Sequence, residues 1–515
     1  MKSNSKVLAI ALDAAEPSLI EKWIAEGYLT NLAALYSKGS YGRLSSSAEW
    51  LVGSPWPTFY TGTMPNKHGI YHYLQWRSNK MDYERPNPGW MSAVPFWRQL
   101  GENCKVIAVD MPLAFPPDPF NGIEISGWAS HDRIFPPFSY PEDKIKWVIK
   151  KYGKPPISDE VGGLQDINEL RKVKEELIHA NKKETELVSE LIKNEKWDLF
   201  LCCLTAPHRG GHKFWDVTNI KGEYSETEKE EFKNSLRDIY ISCDEAVGEI
   251  IKNAGNGVDV FVFSLHGMGV NTTITDKMLP GMISNILNGK KASDQNGSTS
   301  IMKKVRDLIP LELRSNLRKL LPMTLQDKMT AYWRMGNKDW SKTKAFNLVA
   351  DLQGYIRINL KGREKEGAVG LEEYDKLCEQ IKNGLLTFKD PATREPAVEN
   401  VIRKDELFVN GKGFDNLPDL LVQWKDKPAS SYTKIVSEEF GEIDWPMPGL
   451  NPDGRSGNHR LEGFLLASGK NIKMNLTFER KHIVDLAPTI LQILGTAMPM
   501  ESDGKVIAEI LNRIN

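Results

Sequence analysis

Thr205-Ala-Pro-His208-Arg-Gly-Gly-His212-Lys-Phe-Trp-Asp216 is the stretch on which the reading of this chain turns. Just before it, Trp197–Leu204 is a short apolar run without alternation that closes ahead of a proline, the pattern of a strand buried on both faces. His208 and His212 therefore stand beyond a strand's carboxyl end, where open α/β sheets bind ligands. Histidines four apart on a helical turn face the same way, about 5–6 Å apart at Cβ, which suits two imidazoles on one metal ion. HExxH proteases share the spacing, but Arg209 follows the first histidine where they carry a Glu general base, which argues against a zincin protease. A histidine pair of this kind also arises without any metal. What favours a site is that further His and Asp residues stand at other strand ends.

Working outward, Val7–Leu12 reads as a first buried strand stopping at Asp13, a candidate site residue whose alternative role is a helix N-cap. Ser18–Ala25, Asn31–Ser37 and Trp90–Leu100 read as helices, Cys104–Val109 as a strand, and the proline-rich Pro112–Pro119 as a surface connection. Ile167–Asn194 and Glu228–Asn253 carry apolar residues at helical spacing among many charges. Val258–Leu265 is a strongly apolar strand running into His266. Strand, helix, strand, helix, strand is the order of right-handed βαβ units, and it predicts an α/β fold with a doubly wound, mostly parallel sheet flanked by helices.

From Met278 to Thr343 the character changes, with a Gly/Ser/Asn/Lys patch and then short basic helices, which predicts an inserted cap. The expected division is 1–277 as the first part of the core, 278–343 as the insertion, 344–451 as a continuation with cap elements, and 452–515 as the C-terminal part of the core. Within these parts Lys344–Leu360 reads as strands, Leu371–Leu386 as a helix and Leu417–Gln423 as a strand. Asp453–Gly463 reads as a glycine- and charge-rich loop before the strand Phe464–Ala467, and a helix lies around Ile483–Leu494.

Lys plus Arg is 67 against Asp plus Glu 68, so no global field favours nucleic acid or an anionic membrane. Hydrophobic content of 40% and charged content of 26% are those of an ordinary globular protein. The five cysteines form neither a CxxC knuckle nor a disulfide framework and are expected to be reduced and mainly buried. The apolar run Val7–Leu12 is too short for a signal h-region and no run reaches membrane-spanning length, so a cytoplasmic location is the expectation.

Ser54 before Pro55 has the chemistry of a helix start. A hydroxyl at a helix N-terminus also meets the positive end of the dipole, which suits a nucleophile attacking phosphate. The N-cap alone explains the same residues.

Several motifs together resemble the alkaline phosphatase superfamily, in particular its type I phosphodiesterase and nucleotide pyrophosphatase branch. Thr61-Gly62-x-x-Pro65-x-x-His68-Gly69-Ile70 is similar to that family's TGxxPxxHGI segment, and His459-Arg460-x-Glu462-Gly463 to its HRxEG loop. Val484-Asp485-Leu-Ala-Pro488-Thr489 followed by Asp503-Gly504 is similar to its C-terminal signature. The match leaves out only the insertion.

The resemblance implies a two-metal site that grips phosphate oxygens while a Ser or Thr attacks. It assigns His208, in the place of the family's Asp, together with His212 and His459 to a first metal, a three-histidine zinc site with an open position. A second ion would take Asp13 and His266, but Leu265 stands where the family has a further carboxylate. The nucleophile's place, nine residues before Thr61, falls on Val52, so either Ser54 attacks or water activated by the metal acts directly, with Thr58 a lesser candidate. Arg455 and Arg460 are candidates for binding the anionic group, or are solvated surface arginines. The implied function is metal-dependent hydrolysis of a small phosphodiester or phosphomonoester, with one zinc and possible room for a second. The alternatives are a single-zinc hydrolase acting on another bond, and an inactive binding member of the family.

Overall fold

The computed structural model describes residues 5–87, 94–102, 104–130, 135–160, 162–289, 321, 323–335, 338–498 and 501–512. Its main sheet runs, edge to edge, Leu476–Thr477, Ser40–Ser45, Glu462–Ser468, Val258–Ser264, Lys6–Leu12, Leu199–Leu204, Val106–Val109, Gly122–Ser126 and Phe138–Tyr140, and Lys481–His482 also pairs with Ser40–Ser45. The five strands from Val258–Ser264 to Gly122–Ser126 are parallel to one another, while Glu462–Ser468 is antiparallel to both its neighbours. The expected doubly wound, mostly parallel sheet is therefore present.

The apolar runs lack alternation because both faces of these strands are covered. Leu8, Ile10 and Leu12 join one hydrophobic core with Phe200, Cys202 and the helices Ile167–Asn194 and Ser235–Ala254. Val7, Ala9 and Ala11 join another core with Leu201, Cys203, Phe261, Phe263 and the helix Leu486–Leu494. The period of two along one strand thus splits its side chains between two layers. The helix Ile167–Asn194 opens at a capping box built by Asp166 and Glu169, which fixes its start where the periodicity begins.

A second sheet, Ala345–Asn347, Gly354–Ile358, Leu420–Trp424 and Val398–Arg403, is antiparallel throughout. Helices Thr275–Asn288 and Leu371–Leu385 pack on one face of it through Met278, Met282, Ile283, Leu377 and Ile381. Its other face meets Leu51, Tyr71 and Trp76 through Tyr355, Leu421 and Phe346.

Some expectations change in detail. Glu228–Asn253 is two helices, Glu226–Lys233 and Ser235–Ala254, because Asn234 leaves helical geometry at φ −101° and ψ 2°. Within Trp90–Leu100 only Phe96–Gln99 forms a helix, a single 3₁₀ turn entered from Pro95, and residues 90–93 lie outside the described residues. The expected start of the insertion, Met278, falls inside the helix Thr275–Asn288, whose apolar face belongs to the second sheet. Of the rest of the insertion, the helix Met323–Met335 is described while 290–320 lies outside the described residues. Part of the supposed loop Asp453–Gly463 is a strand, Gly457–Arg460, paired antiparallel with Gly267–Val270. Cys104, Cys202, Cys203, Cys243 and Cys378 are buried, and none of the five forms a disulfide among the described residues. Among the described residues no helix is long and apolar enough to cross a membrane.

Candidate metal centre

Three neighbouring strand ends build the site. Asp13 follows Lys6–Leu12, and its N–H donates to the carbonyl of Leu204 at 3.0 Å, which ties it to the end of the adjacent strand. From there Thr205 and Pro207 start the helix Ala206–Phe214, on which His208 and His212 lie one turn apart with ring centroids 5.0 Å from each other. His266 follows the strand on the other side of Lys6–Leu12. His459 comes from far along the chain, delivered by the pairing that sets it opposite Met268.

The helix and the returning strand touch closely enough that side chains would keep them apart. A Cβ on Gly457 would lie 2.2 Å from the Gly211 carbonyl oxygen, and one on Gly211 would lie 2.8 Å from Met268. The contact places the Gly457 carbonyl 2.9 Å from His212 Nδ1.

His208, His212 and His459 are all buried, and their ligand atoms lie within 4.8 Å of one another. The ring of His459 is 4.7 Å from that of His208 and 5.0 Å from that of His212. A carbonyl can only accept, so His212 carries its proton on Nδ1 and leaves Nε2 bare; among the described residues nothing hydrogen-bonds this buried Nε2 or the buried Nδ1 of His459. Burial holds both imidazoles well below their ordinary pKa, with Arg455 and the neighbouring histidines acting in the same direction. An orphaned buried polar atom costs about 1–3 kcal/mol, and two of them on adjacent neutral rings are what a divalent cation would satisfy. The residues fit a metal.

Asp13 belongs to this cluster. Its Oδ2 lies 2.8 Å from His208 Nδ1, and its Oδ1 accepts the Trp56 indole N–H at 3.1 Å. His266 stacks on His459 at 4.7 Å and 20°, with its ring 6.1 Å from that of His208. It stands beside the three converging histidines and outside their group. Among the described residues no second group of three such side chains converges. Leu265 is 1% exposed and fills the core with Phe263 and Phe261, so its side chain is packing where a carboxylate was wanted.

The hydroxyls lie elsewhere. Ser54 precedes the helix Pro55–Thr61 as expected, but it is fully buried and caps no N–H. Its oxygen is 2.6 Å from the Leu51 carbonyl and 2.8 Å from the Ser47 hydroxyl. The hydroxyl is the donor in both contacts, so its single proton is shared between the Leu51 carbonyl and the Ser47 hydroxyl. Ser47 is 3.1 Å from Thr58 Oγ1, which is 3.2 Å from His68 Nε2. Ile70 N–H donates to His68 Nδ1 at 3.0 Å, so Nε2 holds the proton and donates to Thr58 Oγ1. Burial pushes the His68 pKa down to about 3, consistent with that neutral ring. Val52 spends its N–H on the Tyr355 hydroxyl at 3.1 Å. Neither Ser54 nor Thr58 is bonded to a histidine of the metal group.

Arg455 is held by Glu160 at 2.9 Å and lies 3.8 Å from Asp351. It is close enough to His212 and His459 to act on both electrically. Burial alone would raise the Glu160 carboxyl, but Arg455, Lys213 and other cations hold it well below the usual range. Arg460 is the residue after His459 on a strand, so it faces the other way; it crosses Gly269 and pairs with Asp426 at 2.9 Å. The structure does not bring Arg460 to the histidines. Trp56, Glu160 and Lys213 were not foreseen. Trp56 had a signal, since the helix start that exposed Ser54 also aimed the residue two positions on at the end of the first strand.

No curated protein sequence matches the chain. Solved structures of murine ectonucleotide pyrophosphatase/phosphodiesterase 5 do resemble it. One, an inactive variant in complex with AMP, is 12% identical with a TM-score of 0.51 over 99% of this chain and 100% of that one. Another is 13% identical with a TM-score of 0.50 over the same shares. At such identity the likeness shows the fold alone. The model of the type I phosphodiesterase / nucleotide pyrophosphatase family matches residues 7–438. The chain belongs to the type I phosphodiesterase / nucleotide pyrophosphatase family.

Proposed function

We propose that this chain is a metal-dependent hydrolase of phosphodiester or phosphomonoester bonds that works with one zinc held by His208, His212 and His459. Its family comprises phosphodiesterases and nucleotide pyrophosphatases and is generally metal-dependent. The observation that carries the reading is the convergence of three buried imidazoles, two of them with a ring nitrogen that nothing else among the described residues satisfies. When bound, zinc in a three-histidine site supplies Lewis acidity toward a phosphoryl oxygen and lowers the pKa of water at its open position. The residues around it do the rest. Arg455, held in place by Glu160, puts a fixed positive charge near the histidines, where an anionic phosphate would be drawn. Water as the attacking group fits the Ser54 contacts better than the Ser54 hydroxyl does, because that hydroxyl is fully buried and aims its proton at the Leu51 carbonyl and the Ser47 hydroxyl.

Metal analysis of the purified protein, joined to turnover of an aryl phosphodiester and an aryl phosphomonoester before and after chelation, tests the proposal. About one zinc per chain with chelator-sensitive hydrolysis is expected. A metal-free chain would count against it. The second reading, a single-zinc hydrolase acting on another bond, draws on the burial of Leu265 in place of a second-site carboxylate. Zinc without turnover of either ester would favour it. The AMP of the murine complex suggests the first nucleotide to try as a competing ligand.

A further inference from the structure

The resemblance gives Asp13 to a second metal ion, yet both its carboxylate oxygens are already engaged. Oδ2 lies 2.8 Å from His208 Nδ1 and Oδ1 accepts the Trp56 indole proton at 3.1 Å, within a site where Asp13 is 3% exposed. The backbone holds the residue in register as well, through its N–H to Leu204. A carboxylate facing an imidazole nitrogen takes the proton on that nitrogen, which leaves the lone pair on the opposite corner of the ring. His212 shows the same arrangement with the Gly457 carbonyl in the carboxylate's role. Two rings of the three thus each have an acceptor behind Nδ1, an arrangement that puts the lone pair of a neutral imidazole on Nε2.

Accepting the metal reading on which this rests, we propose that Asp13, clamped by Trp56, is a positioning residue that orients His208 with its Nε2 lone pair toward His212 and His459, and is not a ligand of a second ion. Trp56 completes the device, because an indole N–H on Oδ1 stops the carboxylate from rotating away from the ring. Outer partners of this kind fix the tautomer and the ring plane of a ligating histidine, and losing one typically lowers metal affinity about 10–100-fold. The arrangement also gives Leu265 a simple context. With Asp13 turned to the first site, the neighbouring strand end need not supply a carboxylate, and an apolar residue can close the core there.

The test uses the full chain and zinc alone, in wild type, Asp13→Ala, Asp13→Asn and Trp56→Phe. Zinc affinity and stoichiometry are measured by competition with a chromophoric chelator, and histidine tautomers by long-range proton–nitrogen spectra of the metal-free, ¹⁵N-histidine-labelled protein. Asp13→Ala is expected to keep a stoichiometry of one, to lose about 10–100-fold in affinity and to lose the Nδ1–H tautomer of one histidine. Asp13→Asn retains an acceptor oxygen, so it should keep that tautomer and lose less. Trp56→Phe should fall between wild type and Asp13→Ala. If Asp13→Ala fails to fold, the Asn and Phe variants carry the comparison. An Asp13→Ala protein whose first zinc binds as tightly as in wild type overturns the proposal, and so does a drop from two zinc ions to one. A wild type that binds no zinc would refute the metal reading, and the tautomer signal would then decide by itself whether Asp13 orients His208.

Discussion

Ser54→Ala separates two views of the residue at the start of the helix Pro55–Thr61. If its hydroxyl were the attacking group, the change would abolish turnover and leave the fold nearly untouched. The contacts say the reverse. The hydroxyl is fully buried and aims its proton at the Leu51 carbonyl at 2.6 Å and the Ser47 hydroxyl at 2.8 Å. The Leu51 carbonyl would keep a partner, because the Ser54 backbone N–H also donates to it at 2.9 Å. Ser47 would not fare so well. It would lose the proton that Ser54 shares with it, and a hydrogen bond of this kind contributes about 0.5–1.5 kcal/mol. Ser54→Ala should therefore destabilise by about that amount in chemical denaturation, with zinc content and turnover of an aryl phosphodiester close to wild type. Unchanged stability with turnover lower by orders of magnitude would refute this reasoning and return Ser54 to the role of nucleophile.

His459→Ala should lose more zinc affinity than the about 10–100-fold expected for an outer partner, since it removes one of three direct ligands; metal content after dialysis reads this out. Leu265→Asp should melt earlier and bind no extra zinc, because it buries an unpaired charge worth about 3–5 kcal/mol in an apolar core, and metal analysis with excess zinc checks it. Gly457→Ala should lower both melting temperature and zinc affinity, since its Cβ would stand 2.2 Å from the Gly211 carbonyl and push away the acceptor of His212. His68 has its pKa lowered by burial from 6.5 to about 3, so its contribution is whole above pH 6.5 and is lost as pH falls toward 3, by up to about 1.4 kcal/mol per unit. Comparing the pH dependence of stability in metal-free wild type and His68→Gln should show a shallower acid slope in the variant.

The parts of the fold that were legible in the sequence are those whose signal is local. The strands Lys6–Leu12, Leu199–Leu204 and Val258–Ser264 and the helix Ile167–Asn194 announce themselves by uninterrupted or helically spaced apolar residues. His208 and His212 were legible for the same reason, being one turn apart after a strand. His459 was reachable only through the family motif, because nothing in spacing can reveal a register that pairs it with Met268. The contacts of the Ser54 hydroxyl were not legible, because an N-cap pattern fixes a backbone and says nothing about which acceptor the side chain finds. The expected boundary at Met278 cuts the helix Thr275–Asn288, because the polar tract after it hides which sheet its apolar face covers.

The short ribbon of Gly267–Val270 against Gly457–Arg460 is both the exit from the large sheet and the way back into it. Val270 and Gly457 are direct partners at its far end, so the chain leaves for the second sheet and returns from it at two adjacent points. Paired antiparallel residues sit about 4.5–5.5 Å apart, a gap that a two-residue turn spans. The architecture is thus that of an excursion that leaves and rejoins the core at one ribbon while also packing on it through Leu51, Tyr71 and Trp76. The position of His459 is set by the ribbon itself, since that histidine lies on its returning strand.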